Sequence, residues 1–396
     1  METVRIGLLG LGTIGSAVAA QLVTNAQHYQ ALTRQRWEFT WVAVAHPNRP
    51  RTVKLPVTTR VTTDWRQVVT DPAVDVVIEL IGGTGVAQAA VTTALRHGKL
   101  VITANKDLMA TAGPALEKLA HQSGGRVGFE GSVAGGIPIL QLLTTALATD
   151  QIQAISGVLN GTSNYILSQL EQTGSELAPA LAQAQAQGYA ESDPSKDLNG
   201  LDAAYKLTIL IRLAFHRVVN PAALAVTGIT ALSPQLLNAA QQWGLKIRLL
   251  ARAQRRDQRL LAEVAPVAIG PQSVFYGLDG VDNAVALTSE RLGQTVYQGP
   301  GAGGLATANS ILSDLYRLTS ARGTSFTPAV PGRVYPLAQA PRTYLAVSAA
   351  SLPLGGPWQK RQAGSALTRP LTASQQATWA QRLPQVAWLP VSAISD

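Results

Sequence analysis

The chain has 396 residues, with 32 Lys and Arg against 23 Asp and Glu and a formal charge of +9. That length suggests two or three domains, and no apolar run approaches the ~18 residues of a membrane span. Cysteine is absent, which excludes disulfides and thiolate chemistry. The basic residues are scattered. Their one cluster, Arg252, Arg255, Arg256 and Arg259, has no interleaved aromatics, reads as a solvated face and argues against a nucleic-acid partner. The net field favours anionic ligands. The first strand begins almost at Met1 without a basic-then-apolar leader, so no signal peptide is expected and the cytoplasm is the expected compartment.

Residues 4–9 are a short apolar run that predicts a strand. It leads into Gly10-Leu11-Gly12-Thr13-Ile14-Gly15, and residues 16–23 predict a helix. Strand, glycine loop and helix in this order are the context a dinucleotide fingerprint requires. Gly10 permits the tight turn, Gly12 lets backbone approach a pyrophosphate, and Gly15 lets helix and strand pack closely. The start of the helix, from Thr13 and Ile14 onward, then faces the phosphates. The second strand, at 39–45, runs into His46-Pro47-Asn48-Arg49-Pro50-Arg51. No acid stands there to hold a ribose 2′-hydroxyl, and Arg49 with Arg51 suits a 2′-phosphate, so NADP(H) is preferred over NAD(H).

Further strand–helix units follow at 74–80, 87–96 and 100–103. Asn105-Lys106 lies just past the carboxyl end of the last strand, where open α/β sheets bind ligands, so Lys106 is placed to reach cofactor or substrate. A helix at 114–121 and a strand at 127–129 complete the unit. The glycine-rich turn from Glu130 to Pro138 then leaves the sheet. Glu130 either closes that turn with its carboxylate on backbone N–H groups or joins carbonyls around a hard cation; the residues alone leave both open.

From about residue 151 the pattern becomes α+β, with strands at 152–159, 262–268 and 283–288 and helices on one side of an antiparallel sheet. The polar turn Asn160-Gly161-Thr162-Ser163-Asn164 precedes a helix at 165–171. The stretch from Gly188 to Lys206 concentrates charge in a chain otherwise poor in it. Leu201, Ala204, Leu207, Leu210 and Ile211 recur at helical spacing, which puts Asp202 and Lys206 on one face near the helix start. With Glu191 and Asp197 on the incoming loop, they suit a small zwitterionic substrate that receives a proton. A solvated surface pair is the plainer reading of the same spacing. A second glycine loop, from Gly299 to Gly304, feeds a helix at 306–318 and suggests the chain returning to the nucleotide domain. Beyond 320, strands are predicted at 342–349 and 386–391 and a helix at 373–382.

Taken together, these motifs resemble homoserine dehydrogenase over about residues 4–320, most specifically in Asp193-Pro194, Asp197-Leu198-Asn199-Gly200-Leu201-Asp202 and Lys206. The resemblance implies an α/β chain. Residues 1–140 would be a Rossmann-type dinucleotide-binding domain completed by about 299–320. Residues 141–298 would be an α+β substrate-binding and dimerisation domain, and 321–396 a linker with a truncated ACT-like segment. It implies that Glu191 and Asp202 bind the amino-acid substrate, that Lys206 is the proton donor and acceptor with Lys106 also at the reaction centre, and that Gly188 and Gly303 lie against the nicotinamide cofactor. It further implies a monovalent cation, sodium or potassium, held by Glu130, Val133, Gly135 and Ile137, and a homodimer. No Asp-x-x-Gly-type loop follows the strand at 342–349, which puts threonine feedback in doubt.

The expected reaction is reversible NAD(P)H-dependent reduction of L-aspartate 4-semialdehyde to L-homoserine. An amine base must be neutral to accept a proton, so the oxidative rate is expected to rise with alkaline pH. A phosphorylating semialdehyde dehydrogenase needs a cysteine nucleophile and is excluded. A non-catalytic dinucleotide sensor would keep the first glycine loop but has no need of Glu191, Asp202 and Lys206 together.

Overall fold

The computed structural model describes residues 2–51, 53–320, 329–349 and 352–392. The chain divides into two compact units: Met1–Thr149, Thr208–Asn220 and Pro300–Pro331 form unit 1, and Asp150–Leu207, Pro221–Gly299 and Gly332–Asp396 form unit 2.

In unit 1, β1 (Glu2–Leu9), β2 (Gln35–Ala43), β3 (Arg60–Thr62), β4 (Val76–Glu79), β5 (Leu100–Thr103) and β6 (Arg126–Gly128) form one parallel sheet in the order β3-β2-β1-β4-β5-β6. The order reverses between β1 and β4, which opens a crevice at the carboxyl ends of those strands. β4 reads Val-Val-Ile-Glu and is wholly buried, as a parallel strand covered on both faces must be; its Glu79 is the exception to the apolar rule. Helix α1 (Thr13–Thr24) turns Val18, Ala19 and Leu22 onto the sheet. The return helix (Gly304–Thr319) adds Ala308, Ile311, Leu312 and Leu315 to the same core. Between them in the chain lie α2 (Lys106–Thr111), α3 (Gly113–Ser123) and α4 (Ile139–Thr144).

In unit 2, β7 (Ile152–Val158), β8 (Lys246–Arg256), β9 (Arg259–Ile269), β10 (Asp282–Ser289) and β11 (Gly293–Pro300) lie in the order β11-β10-β7-β8-β9, with antiparallel pairing from β10 to β9. α5 (Gly161–Thr173) packs on β8, and α6 (Leu201–Phe215) begins in this unit. Arg248 on β8 is fully buried. Its Nε donates to the Leu278 carbonyl (3.0 Å), and its two terminal nitrogens pair with Glu171 (3.2 Å) and Asp279 (2.5 Å). β8 and β9 form a long hairpin whose tip carries the basic cluster. Arg255, Arg256 and Arg259 are exposed there, as the sequence suggests. Arg252 is not part of a solvated face, because it shares the buried Glu263 carboxylate with Arg342.

The C-terminal residues of unit 2 form a four-stranded antiparallel sheet: β12 (Tyr344–Val347), β13 (Trp358–Gln362), β14 (Ser365–Thr368) and β15 (Ala387–Pro390), in the order β13-β14-β12-β15. Leu345, Leu367 and Leu389 align across three strands and are buried on one face, while Ala346, Ala366 and Trp388 line the other. Helix α7 (Ala373–Arg382) joins β14 to β15 and opens on a Thr372–Gln375 capping box. No helix among the described residues is long and apolar enough to cross a membrane.

Candidate active site

The glycine loop of unit 1 sits at the switch in strand order. Gly10 has φ 97°, and a Cβ there would stand 2.6 Å from the Leu80 carbonyl oxygen; one on Gly15 would stand 2.2 Å from the Gly10 carbonyl oxygen. Both positions are closed to any side chain. Gly12 is different, because a Cβ there meets nothing within 4 Å. The backbone is therefore approachable from that side, where α1 starts at Thr13-Ile14 with no side-chain cap and no acid in its first turn. This combination fits a pyrophosphate, since uncapped N–H groups and the helix dipole favour an anion.

The loop after β2 divides its two arginines between different tasks. Arg51 donates to the carbonyls of His46 (2.6 Å), Pro47 (2.9 Å) and Arg49 (3.0 Å), so it shapes the loop from within. Arg49 is exposed on that loop. Past β5, Asn105 caps α2 by accepting the Leu108 N–H (3.0 Å), and its amide donates to the Gly83 carbonyl (2.6 Å). Lys106 is the first residue of α2 and half-buried.

The turn from Glu130 to Pro138 resolves one of the two alternatives the residues left open. The Glu130 carboxylate accepts the N–H groups of Leu140 (2.9 Å) and Gln141 (2.7 Å) at the start of α4, while the Glu130 N–H donates to Asp314 on the return helix (2.7 Å). No cluster of His, Cys, Asp or Glu suited to a metal occurs among the described residues. Backbone carbonyls also belong to this turn. Those of Gly135 and Ile137 each accept one hydrogen bond, from Ser310 (2.6 Å) and the Ile139 N–H (2.8 Å), and a carbonyl has a second lone pair.

Burial, with the neighbouring Asp314 carboxylate, pushes Glu130 up to about 8, and burial raises Asp314 in the same direction. Between the ordinary carboxylate range and about pH 8, the folded state then holds protons that the unfolded chain has released. For Glu130, stability is greatest below that window and is lost as pH rises through it, by at most ~1.4 kcal/mol per pH unit. Unfolding midpoints measured from pH 5 to 8 in tetramethylammonium buffer should fall with pH, and Glu130→Gln should flatten the slope. An equal slope in the variant would refute the assignment to Glu130.

In unit 2 the structure draws the charged stretch together. Asp202 lies in the first turn of α6, where a negative charge suits the helix dipole. Lys206 pairs with it at 2.8 Å, with side-chain exposures of 12% and 6%. A buried pair replaces the surface pair that spacing alone permits. The Lys206 ammonium also donates to the Leu159 carbonyl (2.6 Å). Asn160 then ties the cluster together: its amide donates to Asp202 (2.9 Å) and Asp197 (2.7 Å), and its carbonyl caps α5 by accepting the Ser163 N–H (2.8 Å). Sequence reasoning placed Asn160 only in a polar turn; its bridging role was signalled by a two-headed amide at a strand end. Asn164 anchors the turn around Gly280 through its amide, and Thr162 donates to the Tyr189 carbonyl (2.6 Å), holding the loop after Gly188. Gly188 and Glu191 are exposed on that loop, and the Glu191 side chain makes no hydrogen bond or ion pair with the Asn160 cluster. Gly303, at φ 104°, starts the return helix, and a Cβ on the next residue, Gly304, would stand 3.2 Å from the Thr13 carbonyl oxygen.

Comparison with known proteins matches residues 10–130 to the NAD binding domain of homoserine dehydrogenase and residues 138–316 to the homoserine dehydrogenase family proper. The homoserine dehydrogenase of Neisseria gonorrhoeae is 39% identical over 80% of this chain and 72% of its own length, and that of Bacillus subtilis is 38% identical over the same shares. The crystal structure of a homoserine dehydrogenase from Thiobacillus denitrificans superposes with a TM-score of 0.90 at 29% identity, covering 100% of this chain and 99% of that one. The enzyme from S. aureus superposes at 0.81 with 27% identity, covering 99% and 100%.

Proposed function

The chain belongs to the homoserine dehydrogenase family, NAD(P)-dependent oxidoreductases acting on a CH–OH group in amino-acid biosynthesis, and on that premise we propose how its residues carry the reversible reduction of L-aspartate 4-semialdehyde to L-homoserine. The observation that carries the reading is the state of Lys206. An ammonium has three N–H donors; one goes to Asp202 and one to the Leu159 carbonyl, which leaves one for a substrate oxygen.

The bound nicotinamide supplies the hydride. As negative charge grows on the aldehyde oxygen, the Lys206 ammonium stabilises it and donates the proton. Asp202 and the Leu159 carbonyl fix the direction of that donor. Glu191 and Asp202 supply the negative charge that pairs with the substrate ammonium, Asp197 supports Asp202 through Asn160, and Lys106 assists at the reaction centre. In the oxidative direction Lys206 takes the proton back from the substrate hydroxyl.

Gly10, Gly12, Thr13, Ile14 and Gly15 hold the pyrophosphate in this proposal, with Gly188 and Gly303 beside the nicotinamide. Arg49 holds the 2′-phosphate, which makes NADP(H) the preferred cofactor. A sodium or potassium ion is held in this proposal by Glu130 and the backbone carbonyls of Val133, Gly135 and Ile137. The enzyme is a cytoplasmic homodimer whose dimer contacts come from residues 141–298, and 321–396 form a linker and a shortened ACT-like segment. The order β13-β14-β12-β15 supports that last reading, with α7 in the second crossover.

Purified protein with L-aspartate 4-semialdehyde and NADPH or NADH, followed by nicotinamide absorbance, tests the activity. Absence of turnover with both cofactors, in folded protein supplied with potassium and sodium, would return the chain to the sensor reading. Arg49→Ser should weaken NADPH relative to NADH by about 10- to 100-fold in kcat/KM, the effect of one charge-assisted contact of about 1.5–3 kcal/mol. An unchanged ratio would place the 2′-phosphate elsewhere.

A further inference from the structure

Glu79 ends β4 with a side chain that is fully inaccessible to solvent, and among the described residues no Lys or Arg pairs with it. A buried carboxylate without a counter-charge persists only where hydrogen bonds replace its hydration. Glu79 has three. One oxygen accepts the N–H of Ile81 (2.7 Å) and of Gly82 (3.2 Å), and the other accepts the Thr103 hydroxyl (2.6 Å). The direction of the last bond is fixed. An ionised carboxylate only accepts, so the Thr103 hydroxyl gives its single proton to Glu79, while its oxygen accepts the Asn105 N–H (3.0 Å). Asn105 closes the circuit by donating to the Gly83 carbonyl (2.6 Å) and capping α2 at Leu108. The loops that follow β4 and β5 are thereby tied to each other at both ends, and the tie stops at Asn105, the residue before Lys106.

We propose that Glu79 and Thr103 are positioning residues for Lys106, locking residues 81–83 and 104–106 into one piece so that the lysine starts its helix at a fixed place. The proposal rests on the reading that Lys106 serves the reaction. The chemistry demands these residue types. Only a carboxylate accepts on both oxygens, and only a hydroxyl both donates to it and accepts from the next N–H. Valine at 103 fills the same volume and carries neither function.

A double-variant cycle tests this. Thr103→Val should lower kcat by roughly ten- to a hundredfold, the cost of displacing a reacting group by about an ångström, and Thr103→Ser should restore it. In a Lys106→Met background, Thr103→Val should cost nothing further, because the group it positions is already gone. Losses that multiply in the double variant would mark a general structural effect and overturn the proposal, as would parental kcat in folded Thr103→Val when Lys106→Met is impaired. Parental kcat in Lys106→Met would instead remove the reading of Lys106 itself, and the proposal with it. If Thr103→Val does not fold, Glu79→Gln replaces it in the cycle: its amide N–H faces Thr103 and leaves the hydroxyl proton without an acceptor.

Discussion

Lys206→Met should keep the fold and lose roughly 10²- to 10⁴-fold in kcat, the range expected when a positioned proton donor is removed. Methionine matches the length of the stem, and Lys206 is largely buried beside Asp202, so the apolar part of the side chain keeps its packing. The charge and the proton are lost. Asp202 retains the Asn160 amide, so the carboxylate stays oriented and the cofactor half of the chain is untouched. The KM for NADPH should therefore stay near the parental value while kcat collapses, in both directions of the reaction. Lys206→Arg should not rescue it, because a guanidinium stays protonated and cannot exchange a proton with the substrate oxygen. Absorbance kinetics with circular dichroism as the folding control decide the matter. A kcat within tenfold of the parent in folded Lys206→Met would rule out Lys206 as the proton donor.

Arg248→Met should cost about 3–5 kcal/mol of stability, the range seen when one partner of a buried ion pair is removed. The guanidinium is fully buried and serves Glu171, Asp279 and the Leu278 carbonyl at once. Removing it leaves two carboxylates near each other with only Lys246, at 3.5 Å from Glu171 and 3.1 Å from Asp279, to hold them. The turn at 278–280, which Asn164 also anchors, loses its main tie to β8. Urea unfolding gives the loss directly. A combined Arg248→Met, Glu171→Gln, Asp279→Asn protein should recover part of it, since the uncompensated charges go with the arginine. A loss under about 1 kcal/mol in the single variant would mean that solvent reaches this network and pays the arginine's role in water instead.

The features legible in the sequence are those in which chemistry and spacing are local. Gly10, Gly12 and Gly15 announce themselves because a tight strand–helix turn needs those glycines within six residues, and the structure shows a Cβ excluded at two of them and open space at the third. Asp202 and Lys206 are legible because four residues is one helical turn. What stays hidden in a linear reading is contact across long separations. Asn160 meets Asp197 and Asp202 from some forty residues away, and Glu79 meets Thr103 from 24. Glu79 did leave a trace, an acid inside an otherwise apolar strand. The hairpin of β8 and β9 was read only in its second strand, because the arginines of β8 interrupt its apolar pattern. One of them, Arg248, is the most deeply buried cation in unit 2, satisfied by partners that spacing does not reveal.

The return helix makes the core of the first sheet depend on the far end of the chain. β6 ends at Gly128, and Ala308, Ile311, Leu312 and Leu315 arrive only with Gly304–Thr319. At about 5–20 residues per second, a ribosome that has finished the last strand of the sheet works for roughly another 10–35 s before it delivers the helix that packs on α1, β5 and β6. During that interval the nascent chain carries an open apolar face that holds Val18 and Leu22 among others. A message broken before codon 304 yields a sheet that can never be closed. Synthesis of the return helix, more than the order of the strands, sets when the first sheet gains its full apolar cover.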